Sequence, residues 1–423
     1  MSSANPGLAY EDTPPLSAPL RFFLTAPLFG LIAGLVLIFD SELLGSRWTP
    51  GALAVVHLFA AGFMLNVMLG ALLQILPVAA GAAFPAPLRI AGVTHILLGL
   101  GAAGLAFGLG GGSPLAIISG GILLAAGLCV FLAASLIGLA RAAPAQGASR
   151  TPRDLRLALG ALALTTTLGI VLALALSRGL PLPVALPALV DLHAVWAWMG
   201  WAGLLLAATS WVVVPMFQIT PAYPANFTRF WAPATLVTLV LWSSALIADI
   251  AWLKLVLSAM LLVLASGFAL QTLKLQRNSR RSTPDAPFRA FRLSMLALLG
   301  SLIALLVALV HDAPQWPVLA GILVLHGTFA GAISAMLYKI VPFLTWLNLT
   351  QARIRAPNMK KLLPDAPIRN QLRVHAAALA ALLVAVLVPV ATPIAGLLVT
   401  VEFGWLLANL LRAVRAWHQA ANA

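Results

Sequence analysis

The fold of this chain follows from the stretch HLFAAGFMLNVMLGALLQILP, residues 57–77. It begins with an ionisable side chain, ends with a proline and is otherwise almost entirely apolar over about 20 residues, the length that crosses a ~30 Å hydrocarbon core as a helix. Residues 193–215 and 326–342 have the same outline, each running from a histidine to a proline. Because lipid offers the backbone no hydrogen-bond partners, each stretch predicts a membrane-spanning helix.

The composition extends this prediction to the rest of the chain. Of its 423 residues, 61% are hydrophobic and only 9% are charged, with a mean hydropathy of +1.01, whereas about a quarter of a soluble protein is charged. We predict an all-α, polytopic membrane bundle of about twelve spanning helices, forming a single transmembrane domain over 1–423 with a polar, proline-rich tail at 1–18. The predicted spans are 19–40, 51–78, 86–110, 113–140, 157–177, 187–217, 229–248, 251–273, 292–310, 316–343, 374–389 and 391–411.

The net charge of +14 indicates membrane orientation rather than nucleic-acid binding. With the N-terminus inside, the basic residues concentrate in the inner connections, which is the usual excess of Lys and Arg in cytoplasmic loops. The exceptions are Arg47, Arg178 and Lys254 outside, and Lys339 within a span. The pattern predicts a protein of the bacterial cytoplasmic membrane with both termini in the cytoplasm, the lipid bilayer as its partner and no nucleic-acid partner.

Cysteine usage narrows the choice of cofactors. The chain has one cysteine, Cys129, which lies in an apolar run. This excludes intrachain disulfides, iron–sulfur clusters, CxxCH haem attachment and zinc ribbons. Met64, Met68 and Met336 offer soft sulfur to copper, although methionine in an apolar helix usually serves packing.

An internal repeat relates the three histidine helices. The segments GALLQILPV (70–78), ATSWVVVPM (208–216) and SAMLYKIVPF (334–343) have similar text around a proline. Each follows a histidine in the same helix. We therefore predict three pseudo-repeated four-helix arcs, at about 19–140, 157–273 and 292–411, with the histidine helix second in each.

The histidines of these helices are the candidate ligands. An ionisable residue within the membrane marks a functional site by default, and imidazole ligates both metal ions and haem iron. Small residues lie within about one turn of His57 and His326, where they would admit a flat macrocycle, but they are also common where helices simply pack. They are Ala60, Ala61, Gly62, Gly327, Ala330 and Gly331.

His193 is a candidate for a second metal site. Asp191 precedes it by two residues, and Trp196, Trp198 and Trp201 follow it. Carboxylates orient ligating imidazoles, but a cluster of tryptophans is also typical of the membrane interface. Both interpretations of His193 stand.

For the other titratable residues, the sequence indicates a functional role less specifically. Glu402, within the last span, is either a proton-relay group or a neutral, hydrogen-bonded carboxyl group. Lys339 either serves a substrate route or extends its ammonium group to the interface. The remaining histidines are interpreted as structural or solvated; they are His95, His311, His375 and His418.

The arrangement of these features resembles subunit I of the haem–copper oxidase superfamily. The text from His57 through Gly62 and Phe63 to Pro77 is especially similar to the NnrS family, whose members are haem- and copper-containing membrane proteins associated with nitric oxide metabolism. The resemblance covers all twelve helices in topology, with specific text in helices two, six and ten. It implies one b-type haem with His57 and His326 as axial ligands.

The chain also departs from the oxidase pattern. The seventh predicted helix has no histidine, so the paired copper ligands of the oxidases are missing, and the sequence gives copper no support. The resemblance implies electron transfer with a quinol or cytochrome partner, or a response to nitric oxide or another diatomic gas. Whether the chain is an oxidoreductase-like enzyme stays open. The alternatives are a cofactor-free transporter and a non-catalytic subunit of a respiratory complex.

Overall fold

The protein, analysed as a computed structural model, is described over residues 13–142 and 150–422. This part of the chain contains helices and no strands, and twelve of its helices are long and apolar enough to cross a membrane. The prediction of an all-α, polytopic membrane protein is confirmed. Residues 1–12 of the predicted tail lie outside the described residues.

The spanning helices follow one another with short connections. They are α1 (Ser17–Phe39), α2 (Pro50–Ala80), α3 (Pro87–Gly111), α4 (Pro114–Arg141), α5 (Thr151–Arg178), α6 (Leu186–Gln218), α7 (Ala225–Ile247), α8 (Ala251–Arg277), α9 (Ala286–Ala308), α10 (Gln315–Gln351), α11 (Asp365–Leu387) and α12 (Pro389–Ala421). Helical turns at Leu43–Gly45 and Met359–Leu362 lie in the connections.

Several helices extend beyond their apolar runs at the predicted cytoplasmic end. α11, for example, begins at Asp365 and not at 374. Its first turns are amphipathic, because Ile368 and Leu372 are buried whereas Arg369 and Arg373 are exposed. Charged residues on one face interrupt the apolar run without interrupting the helix.

The three repeated prolines lie inside their helices. Pro77, Pro215 and Pro342 are internal to α2, α6 and α10. A proline removes one backbone hydrogen bond, a loss that membrane helices tolerate where neighbouring groups compensate. α2 and α6 end three residues after their prolines, close to the predicted ends, whereas α10 continues to Gln351.

Each histidine helix also contains a π-helical segment beside its histidine. The segments are Leu58–Met64 in α2, Trp196–Gly203 in α6 and Leu323–Ala330 in α10. π-Helical turns are rare and occur frequently at functional sites. This shared feature adds a structural likeness to the sequence repeat, while the arrangement in three arcs stays a prediction.

The chain divides into two compact units. The first comprises the residues up to Pro15, Ala71–Gly101 and Ile117–Arg281, and the second comprises Leu16–Gly70, Ala102–Ala116 and Ser282–Ala423. The prediction of a single domain stays a prediction.

In the first unit, Trp211 contacts both a buried carboxyl group and a cluster of aromatic rings. Trp211 Nε1 donates a hydrogen bond of 2.9 Å to the buried Asp154. The Trp211 ring also packs edge-on against Tyr223 and Trp231.

In the second unit, α1 and α12 are closely packed. A Cβ atom at Gly396 would lie only 2.7 Å from the carbonyl oxygen of Gly34. Small residues at such a crossing let two membrane helices approach each other, which fixes α12 and its carboxyl group Glu402.

Candidate metal centre

Three ionisable side chains meet in the core of the second unit. His326 of α10, His375 of α11 and Glu402 of α12 are 2%, 0% and 0% exposed. One potential ligand atom from each lies within 4.8 Å of those from the other two. Because they come from three helices, the packing of α10, α11 and α12 assembles the cluster.

Glu402 holds both imidazole rings. His326 Nε2–H donates to Glu402 Oε2 and His375 Nδ1–H donates to Glu402 Oε1, each at 2.8 Å. An ionised carboxylate only accepts hydrogen bonds, so both bonds are donated by the imidazoles. The two rings are stacked, with centroids 4.6 Å apart and planes inclined by 22°.

The opposite nitrogen of each ring has no protein partner. His326 Nδ1 and His375 Nε2 make no hydrogen bond within the described part of the chain. Since the other nitrogen of each ring carries the proton, these two carry lone pairs. In the metal-free cluster Glu402 therefore fixes the tautomers of both rings, with both N–H groups directed at its carboxylate.

The local structure of α10 positions His326. The residue lies within the π segment Leu323–Ala330. Thr328 Oγ1 donates a hydrogen bond of 2.9 Å to the carbonyl oxygen of Leu323, five residues earlier. The hydroxyl group of Thr328 thus provides a hydrogen-bond donor for the backbone carbonyl group of Leu323.

A glycine allows α10 to approach His375. A Cβ atom at Gly331 would lie 2.8 Å from His375 Nε2 and 2.5 Å from Ser294 Oγ. Separations this short are closer than van der Waals contact permits, so the approach requires a residue without a side chain.

Two phenylalanine rings pack against His326. The ring centroids of Phe59 and Phe403 lie 6.0 and 6.4 Å from that of His326, and both pairs are T-shaped. Apolar walls lower the local dielectric constant, which strengthens charge interactions inside the cluster and makes unpaired charge costly.

His57 lies outside this cluster. It precedes the π segment of α2, is half-buried and donates from Nδ1 to the carbonyl oxygen of Leu53 at 2.8 Å. Its Nε2 atom is therefore the one available to a ligand. Among the described residues, the group of three possible ligands contains neither His57 nor His193.

The packing around His326 does not fit a haem. One face of its ring is covered by His375, and Phe59 and Phe403 flank its edges. The small residues expected to admit a macrocycle are occupied by neighbouring helices: Gly327 faces Ala297 and Gly331 faces His375. The haem between His57 and His326 stays a prediction of the resemblance.

His193 belongs to the first unit. It donates from Nδ1 to the carbonyl oxygen of Thr165 on α5 at 3.2 Å, and a Cβ atom at Gly169 would meet its ring. Nearby Trp196 donates to Ser243 at 2.9 Å. These contacts place His193 at a helix interface, and its role as a metal ligand stays a prediction.

His375 is the member of this cluster that the sequence interpretation missed. The span predicted from residue 374 onward placed it at a helix entrance, whereas α11 begins at Asp365. His375 is therefore well inside the helix and fully buried. The signal that would have found it is the amphipathic pattern of residues 365–373.

Lys339 has a partner. Its ammonium group forms an ion pair with Asp285, the residue that caps α9 by accepting a hydrogen bond from Phe288 N at 3.0 Å. The charge within α10 therefore joins two helices at their predicted cytoplasmic ends.

The chain matches no protein-family model and no curated protein.

Proposed function

We propose that this chain is an integral membrane metalloprotein in which His326, His375 and Glu402 bind a first-row transition-metal ion. The observation that carries the proposal is a buried set of two imidazoles and one carboxylate, with one potential ligand atom from each residue within 4.8 Å of those from the other two. An ion bound there would replace the two ring protons that lie between the imidazoles and Glu402. Two histidines and a carboxylate hold iron(II) in non-haem oxygenases and zinc in several hydrolases.

Charge balance supports a metal ion in this position. Burying an ionised carboxylate costs several kcal/mol unless opposite charge and hydrogen bonds compensate it. Two neutral imidazoles supply hydrogen bonds to Glu402 but no charge. A divalent ion supplies the charge and at the same time satisfies imidazole nitrogens.

The function we propose for this centre is electron transfer or the response to a diatomic gas such as nitric oxide. The resemblance to the haem–copper oxidase superfamily and to NnrS supports this class, and a quinol or cytochrome would be the electron partner. A small neutral gas needs no polar route to a buried centre. Such a role requires iron or copper, because zinc has no redox chemistry.

The first experiment is metal analysis of the purified full-length chain. We expect bound iron or copper in the wild-type protein and its loss in His326→Ala and His375→Ala. Glu402→Gln should also lose the metal, because an uncharged amide replaces the carboxylate ligand. His193→Ala is the matched control and should keep the metal.

Several outcomes would contradict the proposal. Unchanged metal content in both histidine variants would reject the ligand assignment. Zinc as the bound metal would reject the redox role, and a metal-free wild type would favour the transporter or subunit alternatives. A reduced-minus-oxidised absorption spectrum of the wild type and of His57→Ala tests the haem prediction separately, through the presence and loss of a Soret band.

A further inference from the structure

Buried polar side chains continue from the cluster toward the end of the second unit at which α12 finishes. Gln371 of α11, Ser334 and Tyr338 of α10 and Asn409 of α12 are 0%, 0%, 3% and 0% exposed, and Arg412 is exposed at the end of the series. Polar residues within a membrane are expensive and mark ion or proton routes. We refer to these five residues as the polar file.

Hydrogen bonds link one end of the polar file to the cluster and link the residues at its other end to Arg412. At the cluster, Gln371 Nε2 donates to the backbone carbonyl oxygen of Glu402 at 3.3 Å. At the far end, Asn409 Nδ2 donates to Tyr338 OH at 3.0 Å and Arg412 Nη1 donates to Asn409 Oδ1 at 3.1 Å. The far end therefore reaches an exposed charge.

Helix geometry places Ser334 between the two ends. Gly331 faces His375, and residues three and seven positions further along an α-helix lie on nearly the same face. Ser334 and Tyr338 therefore face α11 and α12. Gln371 lies one turn from His375 on α11, which brings it to a similar depth as Ser334.

The middle of the polar file contains unsatisfied groups. Ser334 Oγ and Gln371 Oε1 have no hydrogen-bond partner within the described part of the protein. Buried polar atoms in proteins are almost always bonded to protein or to water, and buried water molecules typically bond to polar groups of this kind. Ser334 Oγ and Gln371 Oε1 are therefore the groups that buried water would satisfy.

We propose that the polar file is a hydrated path that connects the buried cluster with the aqueous phase at the C-terminal end of α12. Water in the path would give protons access to Glu402 and its histidines. The path needs no bound metal, so it stands apart from the metal centre.

Thiol accessibility tests this proposal directly. In full-length chain reconstituted into liposomes, Cys129→Ser removes the native thiol and a single cysteine is then introduced at Ser334 or, as the matched control, at Ala335. Both native residues are 0% exposed and adjacent in sequence. Since thiols react as thiolates and burial in apolar surroundings suppresses the thiolate, Ser334→Cys should react with silver ions at least about tenfold faster.

A second variant locates the route. Combining Ser334→Cys with Tyr338→Trp should slow the reaction, because the larger ring fills the file between Ser334 and Asn409. Equal reaction rates for Ser334→Cys and Ala335→Cys in folded protein would overturn the path, as would a fast reaction that Tyr338→Trp leaves unchanged.

The two proposals fail separately. Metal content of the Cys129→Ser parent, which keeps Ser334 and the cluster, tests the metal centre independently of the labelling. Slow labelling of Ser334→Cys with a metal-containing parent rejects only the path, whereas fast labelling with a metal-free parent supports the path and rejects the metal centre.

Discussion

Glu402 is the member of the cluster that is hydrogen-bonded to both others. It accepts one hydrogen bond from each of two imidazoles, and hydrogen bonds to charged groups contribute about 1.5–3 kcal/mol each. It thereby sets the orientation and tautomer of His326 and His375. Without the Glu402 carboxylate, the two rings lose the acceptor that orients their N–H groups.

A glycine substitution tests the close approach of α10 to His375. Gly331→Ala places a methyl group 2.8 Å from His375 Nε2, so we expect a loss of about 1–3 kcal/mol, typical of overpacking, together with reduced metal binding. The measurements are thermal unfolding in detergent and metal content.

Gly321→Ala provides the matched control in the same helix. A Cβ atom at Gly321 meets nothing within 4 Å, so this variant should change stability by less than about 1 kcal/mol, the difference in helix propensity between the two residues. Similar losses in both variants would show that the approach at Gly331 has no special role.

The sequence predicted part of this site for clear physical reasons. His326 and Glu402 stand out because each interrupts an otherwise apolar span. His375 does not stand out, since Arg369 and Arg373 precede it and make the start of α11 look like a connection. The meeting of the three side chains could not be predicted, because it depends on how α10, α11 and α12 pack.

Helices were predicted well in number and less well in extent. Apolar runs locate the part of a helix inside the hydrocarbon core, and all twelve predicted spans correspond to helices. The ends differ where a helix continues on an amphipathic face, as in α11 and α12. The π segments could not be predicted, because their hydrogen-bond pattern is set by packing rather than by composition.

The ion pair between α9 and α10 is a second test of helix packing. Asp285 caps α9 and pairs with Lys339. Asp285→Ala removes both interactions, and we expect a loss of about 1–3 kcal/mol from the cap and the partly exposed pair together. Thermal unfolding in detergent measures it.

Asp285→Asn separates the two contributions. Asparagine caps helices about as well as aspartate, so this variant should lose only the ion pair, at most about 1 kcal/mol. Lys339→Met should behave in the same way. If Asp285→Asn destabilises as much as Asp285→Ala, the cap contributes nothing.

Over the described residues, twelve helices are long and apolar enough to cross a membrane. An even number of crossings returns the C-terminus to the side of the N-terminus, and the excess of Lys and Arg predicts that this side is the cytoplasm. A reporter fused after Ala421 should therefore report the cytoplasm, and one inserted after Gly45, between α1 and α2, should report the opposite side. The same compartment for both fusions would contradict twelve crossings.

The π segment of α10 bears on how the three arcs evolved. A π turn holds one residue more than an α turn, so the faces of α10 before Leu323 and after Ala330 are out of phase by about 100°. Deleting one residue there would restore an unbroken α-helix and rotate His326 away from Glu402. Equivalent segments lie in α2 and α6. If the three arcs arose by duplication, the inserted residue is older than the duplication, and an alignment of the repeats should carry it in all three copies.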